Sequence, residues 1–327
     1  MAIVSGNDTA ALQRAAAELA AGELVAFPTE TVYGLGARAD DDAAVARIFA
    51  AKGRPADHPL IVHVSDVAAA RAFAAEWPAA AQKLTDAFWP GPLTVIVPRR
   101  SGMGTASAAG QTSIGLRCPS HPVARALLEA AASLGVAGVS GPSANRFGRI
   151  SPTTAAHVFE EFGDAMTIVD GGECDAGIES AIVDCSRGAP ALLRPGVLTR
   201  DELEAVLGHP LREAGVDAPR ASGTLEAHYA PRAKLRLMPA DQLRAALGVL
   251  AKTGVSPVAV YFRTVTPGRT VRAYRAMPDN PIAAAHELFS ALRELDATGA
   301  SLIWVETPPD APAWDGVRDR LQRAAAA

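Results

Sequence analysis

Short apolar runs alternate along this chain with longer segments in which apolar residues recur at helical spacing. The runs at 24–27 and 60–64 are apolar and each is followed by turn-forming residues, a pattern typical of buried strands. Residues 8–21 carry leucine and alanine at i, i+3, i+4 and i+7, which predicts an amphipathic helix. Because each element must bury one face, strands that alternate with helices predict an α/β fold, with helices covering the faces of a sheet.

A change in composition divides the 327 residues, a length sufficient for two domains. Residues 209–232 are rich in glycine, proline, alanine and serine and show little periodicity, so they predict a linker. Just before it, Thr199 and Glu202 have the spacing of a capping box and predict a helix start. We therefore predict one domain at 1–208, a linker or lid at 209–233, and a second α/β domain at 234–327. In the second domain, strands are predicted at 234–238, 258–262, 270–274 and 301–305, and helices at 241–252, 281–298 and 314–326.

The net charge of −4 argues against a surface built to hold nucleic acid non-specifically, because such binding needs many lysine or arginine contacts to phosphate. Cys118, Cys174 and Cys185 are odd in number and form no C-x-x-C pair, which predicts reduced thiols in a cytoplasmic protein. The first residues lack the pattern of a signal peptide, and no apolar run reaches the ~18–20 residues that span a bilayer.

Common nucleotide and hydrolase signatures are missing from the sequence. It contains no G-x-x-x-x-G-K-[ST], no H-E-x-x-H, no G-x-S-x-G and no grouped metal ligands. Gly34 and Gly36 begin a dinucleotide-type pattern, but Ala39 stands where the third glycine belongs. Any nucleotide site must therefore be of a rarer kind.

Lys52 and Arg54 flank a glycine where a predicted helix ends. On extended backbone, residues two apart project to the same side, so we expect the two cations to form an anion clamp. Arginine offers a planar fork and lysine a point charge, a combination suited to phosphate. A pair of solvated surface cations is the alternative interpretation.

Two further segments offer uncharged polar groups. Ser143 and Asn145 lie two apart in a proline-rich loop that also holds Ser151, and could donate hydrogen bonds to phosphate oxygens; turn chemistry is the alternative. Residues 28–36 (PTETVYGLG) place Thr31 among alternating hydroxyls after a buried strand, where they could meet a small polar ligand or simply form the exit from a strand.

Charged and imidazole side chains lie in or beside three other predicted strands. His63 lies in an apolar run, so it is either a ligand-facing residue or a buried core histidine. Arg117 ends its strand and could pair with a carboxylate or with solvent, and Arg194 precedes a Pro-Gly turn in the same way.

Taken together and in this order, these segments resemble the YrdC-like domain of threonylcarbamoyl-AMP synthases. The matching pieces are 28–36 (PTETVYGLG), 52–55 (KGRP), 59–63 (PLIVH), 89–94 (WPGPLT), 115–117 (GLR), 142–145 (PSAN), 151–153 (SPT), 180–184 (SAIVD) and 194–196 (RPG). Residues 228–231 (HYAP) are similar to the linker motif of the family's long form, which carries an additional C-terminal domain. The chain departs from the family at His58, where asparagine is usual, and at Ser113, where many relatives have threonine.

The resemblance implies a YrdC-like twisted mixed sheet with helices on its faces, followed by a small Rossmann-like α/β domain. It implies synthesis of threonylcarbamoyl-AMP from ATP, bicarbonate and L-threonine, with Mg²⁺ accompanying ATP, for tRNA modification. Catalysis is expected to depend on Lys52 and Arg54. The residues expected at ATP are Lys52, Arg54, His58, Ser113, Gly141, Ser143, Asn145, Ser151, Arg194 and Tyr229, the last as a lid. Those expected at threonine are Thr31, His63, Arg117 and Ser180; no metal ligand set is expected.

The same resemblance implies that the product passes to the tRNA threonylcarbamoyltransferase complex, with little or no direct tRNA binding and no membrane association. Two alternatives stay open at this point. One is an RNA-binding module, which the acidic net charge disfavours. The other is a different carbamoyl-transfer enzyme that shares the domain.

Overall fold

The computed structural model describes residues 2–215, 217–252 and 257–327, and the chain divides into two compact units. The first unit consists of Met1–Phe147 and Ser151–Thr224, and the second of Gly148–Ile150 and Leu225–Ala327. The break after Thr224 falls inside the segment predicted as a linker, of which Val216 lies outside the described residues.

One mixed sheet organises the first unit. Its order is β1-β8-β2-β3-β7-β4-β6-β5-β9-β10-β11, with both parallel and antiparallel neighbours. The strands are β1 (Ile3–Ser5), β2 (Val25–Phe27), β3 (Gly34–Arg38), β4 (Ile61–His63), β5 (Leu93–Pro98), β6 (Ser113–Arg117), β7 (Val139–Ser140), β8 (Thr167–Asp170), β9 (Ala181–Asp184), β10 (Ala191–Arg194) and β11 (Arg212–Glu213).

The described residues of the first unit form seven helices that accompany this sheet. The predicted helix at 8–21 begins after Asp8, whose side chain accepts from the backbone N–H of Ala10, and it packs its apolar stripe with α5 against β2. Thr199 and Glu202 form the predicted capping box. The helices are α1 (Thr9–Ala20), α2 (Asp42–Lys52), α3 (Val67–Phe73), α4 (Ala79–Phe88), α5 (Pro122–Ser133), α6 (Ala155–Phe162) and α7 (Arg200–Leu207).

The second unit has a parallel sheet in the order β12-β15-β13-β14, so the predicted small α/β domain is confirmed. The strand predicted at 270–274 instead begins at Ala273, three residues later, because the residues before it form turns rather than pair. The elements are β12 (Lys234–Met238), α8 (Ala240–Leu250), β13 (Val258–Phe262), β14 (Ala273–Ala276), α9 (Pro281–Ala297), β15 (Leu302–Glu306), a 3-10 turn (Pro312–Trp314) and α10 (Asp315–Ala325).

Two predictions about local backbone need correction. Lys52 is the last residue of α2 and Gly53 is a left-handed C-cap with φ of 63°, so Lys52 and Arg54 do not lie on an extended chain. Residues 34–36, for which an exit from a strand was one of two interpretations, belong instead to β3, because the glycines there let the backbone approach the ring of Phe27 on the paired strand β2. Within the described residues, no helix is long and apolar enough to cross a membrane.

Candidate active site

The centre of the large sheet brings several predicted site residues onto one face. His63 at the end of β4 is the direct partner of Arg117 at the end of β6, and partners in register project to the same side. Gly115 is two residues before Arg117 and therefore lies on that face. A side chain added at Gly115 would contact Thr94 of β5 at 3.5 Å, so Thr94 borders the same surface.

A network of buried hydroxyls borders this face. Thr31 is fully buried, and its hydroxyl lies 2.9 Å from that of Thr29. Thr29 also donates to the carbonyl oxygen of Val32, which holds the turn after β2 in place. The hydroxyl of Ser180 lies 2.8 Å from that of Thr94, although Ser180 and Thr94 are 86 positions apart. Thr31 and Ser180, both predicted at the site, are therefore held by Thr29 and Thr94. Thr29 and Thr94 lie in the family motifs, but we had assigned them no role.

Arg117 is buried and has an acidic partner, Glu30, that we did not predict as a site residue. The guanidinium Nη2 lies 2.8 Å from Glu30 Oε1, and the exposed fractions of the two side chains are 4% and 8%. Arg117 Nε also donates to the carbonyl oxygen of Gly91 at 3.4 Å. The sequence signal that could have indicated Glu30 is that it is the single carboxylate in the hydroxyl-rich motif at 28–36. That signal becomes informative only once the pairing with Arg117 is known.

His63 is a neutral ring at this site. Burial disfavours the imidazolium, and the neighbouring Arg117 guanidinium repels it, which together lower the pKa of His63 to about 3. Its ring meets Phe27 edge to face with centroids 5.7 Å apart. Gly141 lies so close that an added Cβ would be 2.9 Å from His63 Nδ1, so a glycine is needed for the backbone to pass the ring.

The predicted phosphate cations occupy different environments. Lys52 is buried and its ammonium donates to the backbone carbonyls of Ser143 and Asn145, so it clamps the 142–145 loop. Burial and the nearby charge of Arg54 lower the pKa of Lys52 well below its usual value. Arg54 Nη2 donates to the carbonyl oxygen of Pro59 at 3.0 Å.

His58 and Arg54 meet at one aromatic ring. The His58 ring contacts Phe147 edge to face at 5.4 Å between centroids, and the Arg54 guanidinium carbon lies 5.7 Å from the same centroid. Partial burial and the charge of Arg54 lower the pKa of His58, with Asp57 opposing this effect. His58, which stands where the family usually has asparagine, thus lies beside Arg54, one of the cations predicted at phosphate.

The loop residues predicted at phosphate are held in place by hydrogen bonds to the 28–36 motif and to Glu179. The backbone N–H of Ala144 donates to the carbonyl oxygen of Tyr33, which ties the loop to the 28–36 motif. Asn145 Nδ2 donates to the carbonyl oxygen of Arg146 at 2.7 Å. Ser151 is buried and donates a short hydrogen bond to Glu179, a second carboxylate that sequence reasoning missed.

Arg194 joins the start of β9 to the chain beyond β11. Its Nε and Nη2 donate to the carbonyl oxygen of Ser180 at 3.1 and 2.9 Å, and its Nη1 donates to the carbonyl oxygen of Ser222 at 2.8 Å. A residue predicted at ATP and one predicted at threonine are therefore in direct contact. Arg194 is 2% exposed, so only its edge is available to a ligand.

A slot lies on the same sheet face, toward the beginning of β6. Its walls are largely aliphatic, with a few polar groups at the edges, which suits a flat ring with polar substituents. Ser113, predicted at ATP, lies at this end. The lining residues are Pro59, Leu60, Ile61, Thr94, Ile96, Ala108, Gln111, Ser113, Ile114, Gly115, Ile182, Arg220, Ala221 and Ser222.

Tyr229 belongs to the second compact unit and is described there. It has a φ of 62°, is 1% exposed, and packs its ring against Phe289 at 5.4 Å between centroids. The guanidinium carbon of Arg320 lies 5.5 Å from the Tyr229 ring centroid. That Tyr229 covers a nucleotide stays a prediction.

The first unit thus contains buried cations, hydroxyls, a guanidinium–carboxylate pair and an aliphatic slot, a combination suited to small charged ligands with a flat apolar part. Two family models match the chain. One, described as "Telomere recombination" for Sua5, YciO and YrdC proteins, matches residues 17–196, and one described as "Threonylcarbamoyl-AMP synthase, C-terminal domain" matches residues 198–326.

Curated relatives and solved structures agree with these matches. The threonylcarbamoyl-AMP synthase of Pyrococcus abyssi is 39% identical, over 93% of this chain and 90% of its own length. That of Bacillus subtilis is 36% identical, over 98% and 94%. The crystal structure of P. abyssi Sua5 complexed with L-threonine has a TM-score of 0.88 at 36% identity, covering 99% of this chain and 96% of that one. The chain belongs to the threonylcarbamoyl-AMP synthase family, in its form with a C-terminal domain.

Proposed function

We propose that this enzyme forms L-threonylcarbamoyl-AMP and pyrophosphate from L-threonine, bicarbonate and ATP, for the threonylcarbamoyladenosine modification of tRNA. The observation that carries the proposal is the shared sheet face, where the Arg117–Glu30 pair and buried hydroxyls adjoin an aliphatic slot. An amino acid and a nucleotide bound on one face could react directly. Family membership and the threonine complex of the P. abyssi relative support the same assignment.

In the proposed reaction the amine of threonine first condenses with bicarbonate to give N-carboxythreonine and water. A carbamate oxygen of N-carboxythreonine then attacks the α-phosphorus of ATP. The new O–P bond forms as the bond from the α-phosphorus to the bridging oxygen breaks, and pyrophosphate leaves with that oxygen. This chemistry requires no covalent enzyme nucleophile. The protein would contribute by orienting the two reactants and neutralising charge on the phosphates. The reaction class is that of a nucleotidyltransferase.

For threonine, we assign the carboxylate to Arg117 and the remaining polar contacts to Thr31, His63 and Ser180. A neutral His63 can donate one hydrogen bond and accept another, without competing with Arg117 for the carboxylate. The assignment of the carboxylate to Arg117 is supported by the planar, buried guanidinium group, which can pair with a carboxylate through two hydrogen bonds.

For ATP, we assign the base to the aliphatic slot near Ser113 and the phosphates to the side of Arg54. Lys52 would act through the 142–145 loop that it clamps, and reach phosphate only by exchanging its carbonyl partners. The remaining groups assigned to the nucleotide are His58, Gly141, Ser143, Asn145, Ser151, Arg194 and Tyr229.

Mg²⁺ would enter as part of the substrate MgATP. No cluster of three or more histidine, cysteine, aspartate or glutamate side chains suited to a metal occurs in the part of the chain that the structure describes.

The proposal extends to a cytoplasmic protein that passes its product to a tRNA threonylcarbamoyltransferase complex. The three cysteines are free and buried, and burial raises the pKa of the Cys118 thiol to about 11, so this thiol is protonated and unreactive. Such thiols suit a reducing compartment.

The experiment that tests the function is pyrophosphate release by the full chain, with ATP, bicarbonate and threonine left out in turn. The expected result is loss of release in all three omissions. Turnover that persists without threonine would contradict the proposed substrate. Salt-dependent tRNA binding with no turnover under any condition would favour the RNA-binding alternative.

A further inference from the structure

Glu30 and Arg117 form a buried pair of opposite charges whose hydrogen-bonding capacity is not used up. Glu30 Oε1 and Arg117 Nη2 are 2.8 Å apart, yet they are not aligned as a hydrogen bond. Neither atom has another hydrogen-bond partner within 2–215, 217–252 and 257–327. Hydrogen-bonding capacity left unused at a buried ion pair is costly, so both atoms can gain by binding a polar group from outside the chain.

Glu30 is also held firmly in its position. Its Oε2 accepts from the backbone N–H of Ser120 at 3.2 Å, and its own carbonyl oxygen accepts from the N–H of Ala176 at 2.7 Å. The carboxylate is therefore anchored through one oxygen, while Oε1 points to Arg117. A group fixed in this way can recognise a ligand without reorganising.

The charges on this face favour a particular head group. His121 lies near Glu30, but burial lowers its pKa, and His63 is neutral for the same reason. Arg117 and Glu30 thus place one positive charge beside one negative charge. An α-amino acid carries a carboxylate and an ammonium on one carbon, and matches this pair. A carboxylic acid without the amine could still pair with Arg117, but it would bring its negative charge next to Glu30 with no ammonium to offset that repulsion.

We infer that Glu30 binds the α-ammonium group of the amino-acid substrate, in the complex that forms before its amine is carboxylated, while Arg117 binds its carboxylate, so that the buried pair selects amino acids against acids that lack the amine. The inference rests on the proposed function and adds to it a specificity residue within the 28–36 motif. It also differs from a purely positioning role. If Glu30 only held Arg117 in place, its loss would weaken every carboxylate ligand to the same extent.

The test is calorimetric binding of L-threonine and of its analogue with a hydroxyl in place of the amine, to the full-length protein and to Glu30→Gln. Glutamine keeps the size of the side chain and removes the charge. We expect the unaltered protein to prefer threonine by about tenfold or more, and Glu30→Gln to lose that preference mainly by weakening threonine. Equal weakening of both ligands would leave a positioning role only and overturn the inference.

A second variant keeps the test decisive if Glu30→Gln does not fold. Glu30→Asp retains the charge, so it should keep a preference for threonine even if both ligands bind more weakly; loss of the preference would contradict the inference. Binding of a non-hydrolysable ATP analogue, unchanged in both variants, shows that the remaining site is intact. If the unaltered protein bound no threonine, the proposed function itself would fail; threonine bound equally well by Glu30→Gln would overturn only the inference.

Discussion

His63 and Arg117 are direct neighbours in the parallel register of β4 and β6, so an imidazole and a guanidinium share one buried surface. Two cationic groups in this position would repel each other. The protein avoids this by keeping His63 uncharged, with a pKa of about 3 in the folded state against 6.5 ordinarily. The site thus presents one permanent cation, and the histidine contributes hydrogen bonding rather than charge.

A first prediction concerns the pH dependence of stability. Because the pKa of His63 is lower in the folded protein, the unfolded chain binds more protons between about pH 3 and 6.5. The contribution of His63 to stability should be complete above pH 6.5 and fall as the pH decreases through that window, by up to about 1.4 kcal/mol per pH unit. Urea unfolding of His63→Gln should show a shallower pH dependence from pH 4 to 6. His209→Gln, at an exposed position, is the control, and equal slopes for all three proteins would disprove the prediction.

A second prediction separates charge from geometry at Arg117. Arg117→Lys keeps a cation beside Glu30 but loses the planar fork, so the KM for threonine should rise about tenfold or more. The KM for ATP should change much less. Removing the charge altogether, as in Arg117→Gln, would leave Glu30 buried and unpaired and should reduce stability by about 3–5 kcal/mol. Pyrophosphate release measures the two KM values, and equal increases in both would argue against the carboxylate role.

A third prediction tests the phosphate side. Arg54→Ala should abolish ATP turnover while the fold persists, because it removes the cation that we assign to the phosphates, together with its hydrogen bond to Pro59. Circular dichroism and pyrophosphate release check the two parts. Arg47→Ala is the matched control, since Arg47 lies on α2, the helix that ends just before Arg54, is half exposed, and pairs with Glu23. Near-normal turnover by Arg54→Ala would show that the nucleotide assignment is wrong.

A fourth prediction concerns the floor of the slot. A Cβ at Gly115 would lie 3.5–3.8 Å from Thr94, Ile61 and Ile96, which is ordinary contact, so small side chains can fit without disturbing the sheet. Gly115→Val should fold but fill the slot and raise the KM for ATP about tenfold or more, with Gly115→Ala intermediate. Gly248→Ala, on α8, is the control. An unchanged KM for ATP in Gly115→Val would place the base elsewhere.

A fifth prediction concerns local stability at α7. The hydroxyl of Thr199 caps this helix by accepting a hydrogen bond from the N–H of Glu202. The carboxylate of Glu202 in turn accepts one from the N–H of Thr199. Thr199→Ala should cost about 1 kcal/mol and speed amide exchange in the first turn of α7 about fivefold. Thr199→Ser keeps the hydroxyl and should exchange as the parent does. Unaltered exchange in Thr199→Ala would show that the cap contributes little.

The most accurate sequence predictions were those of elements whose structure is determined by residues within the same short segment. Periodicity and caps located α1 and α7, because a helix and its first turn are determined by residues within a few positions of each other. The ordered motifs also indicated the family, the α/β class and the residues to examine. They missed β1 and β11, since strands of three and two residues are too short to show a period.

Tertiary structure alone decided which of these residues act together. Lys52 and Arg54 are two apart in sequence, yet the left-handed Gly53 separates their roles, so that Lys52 binds carbonyls of a loop more than 90 positions away. Glu30 and Arg117 show nothing in sequence that joins them. Only the sheet order, which depends on the burial of many distant side chains at once, brings that carboxylate to that guanidinium. Sequence therefore identified many of the groups but not Glu30 or Glu179, and the fold assigned all of them their partners.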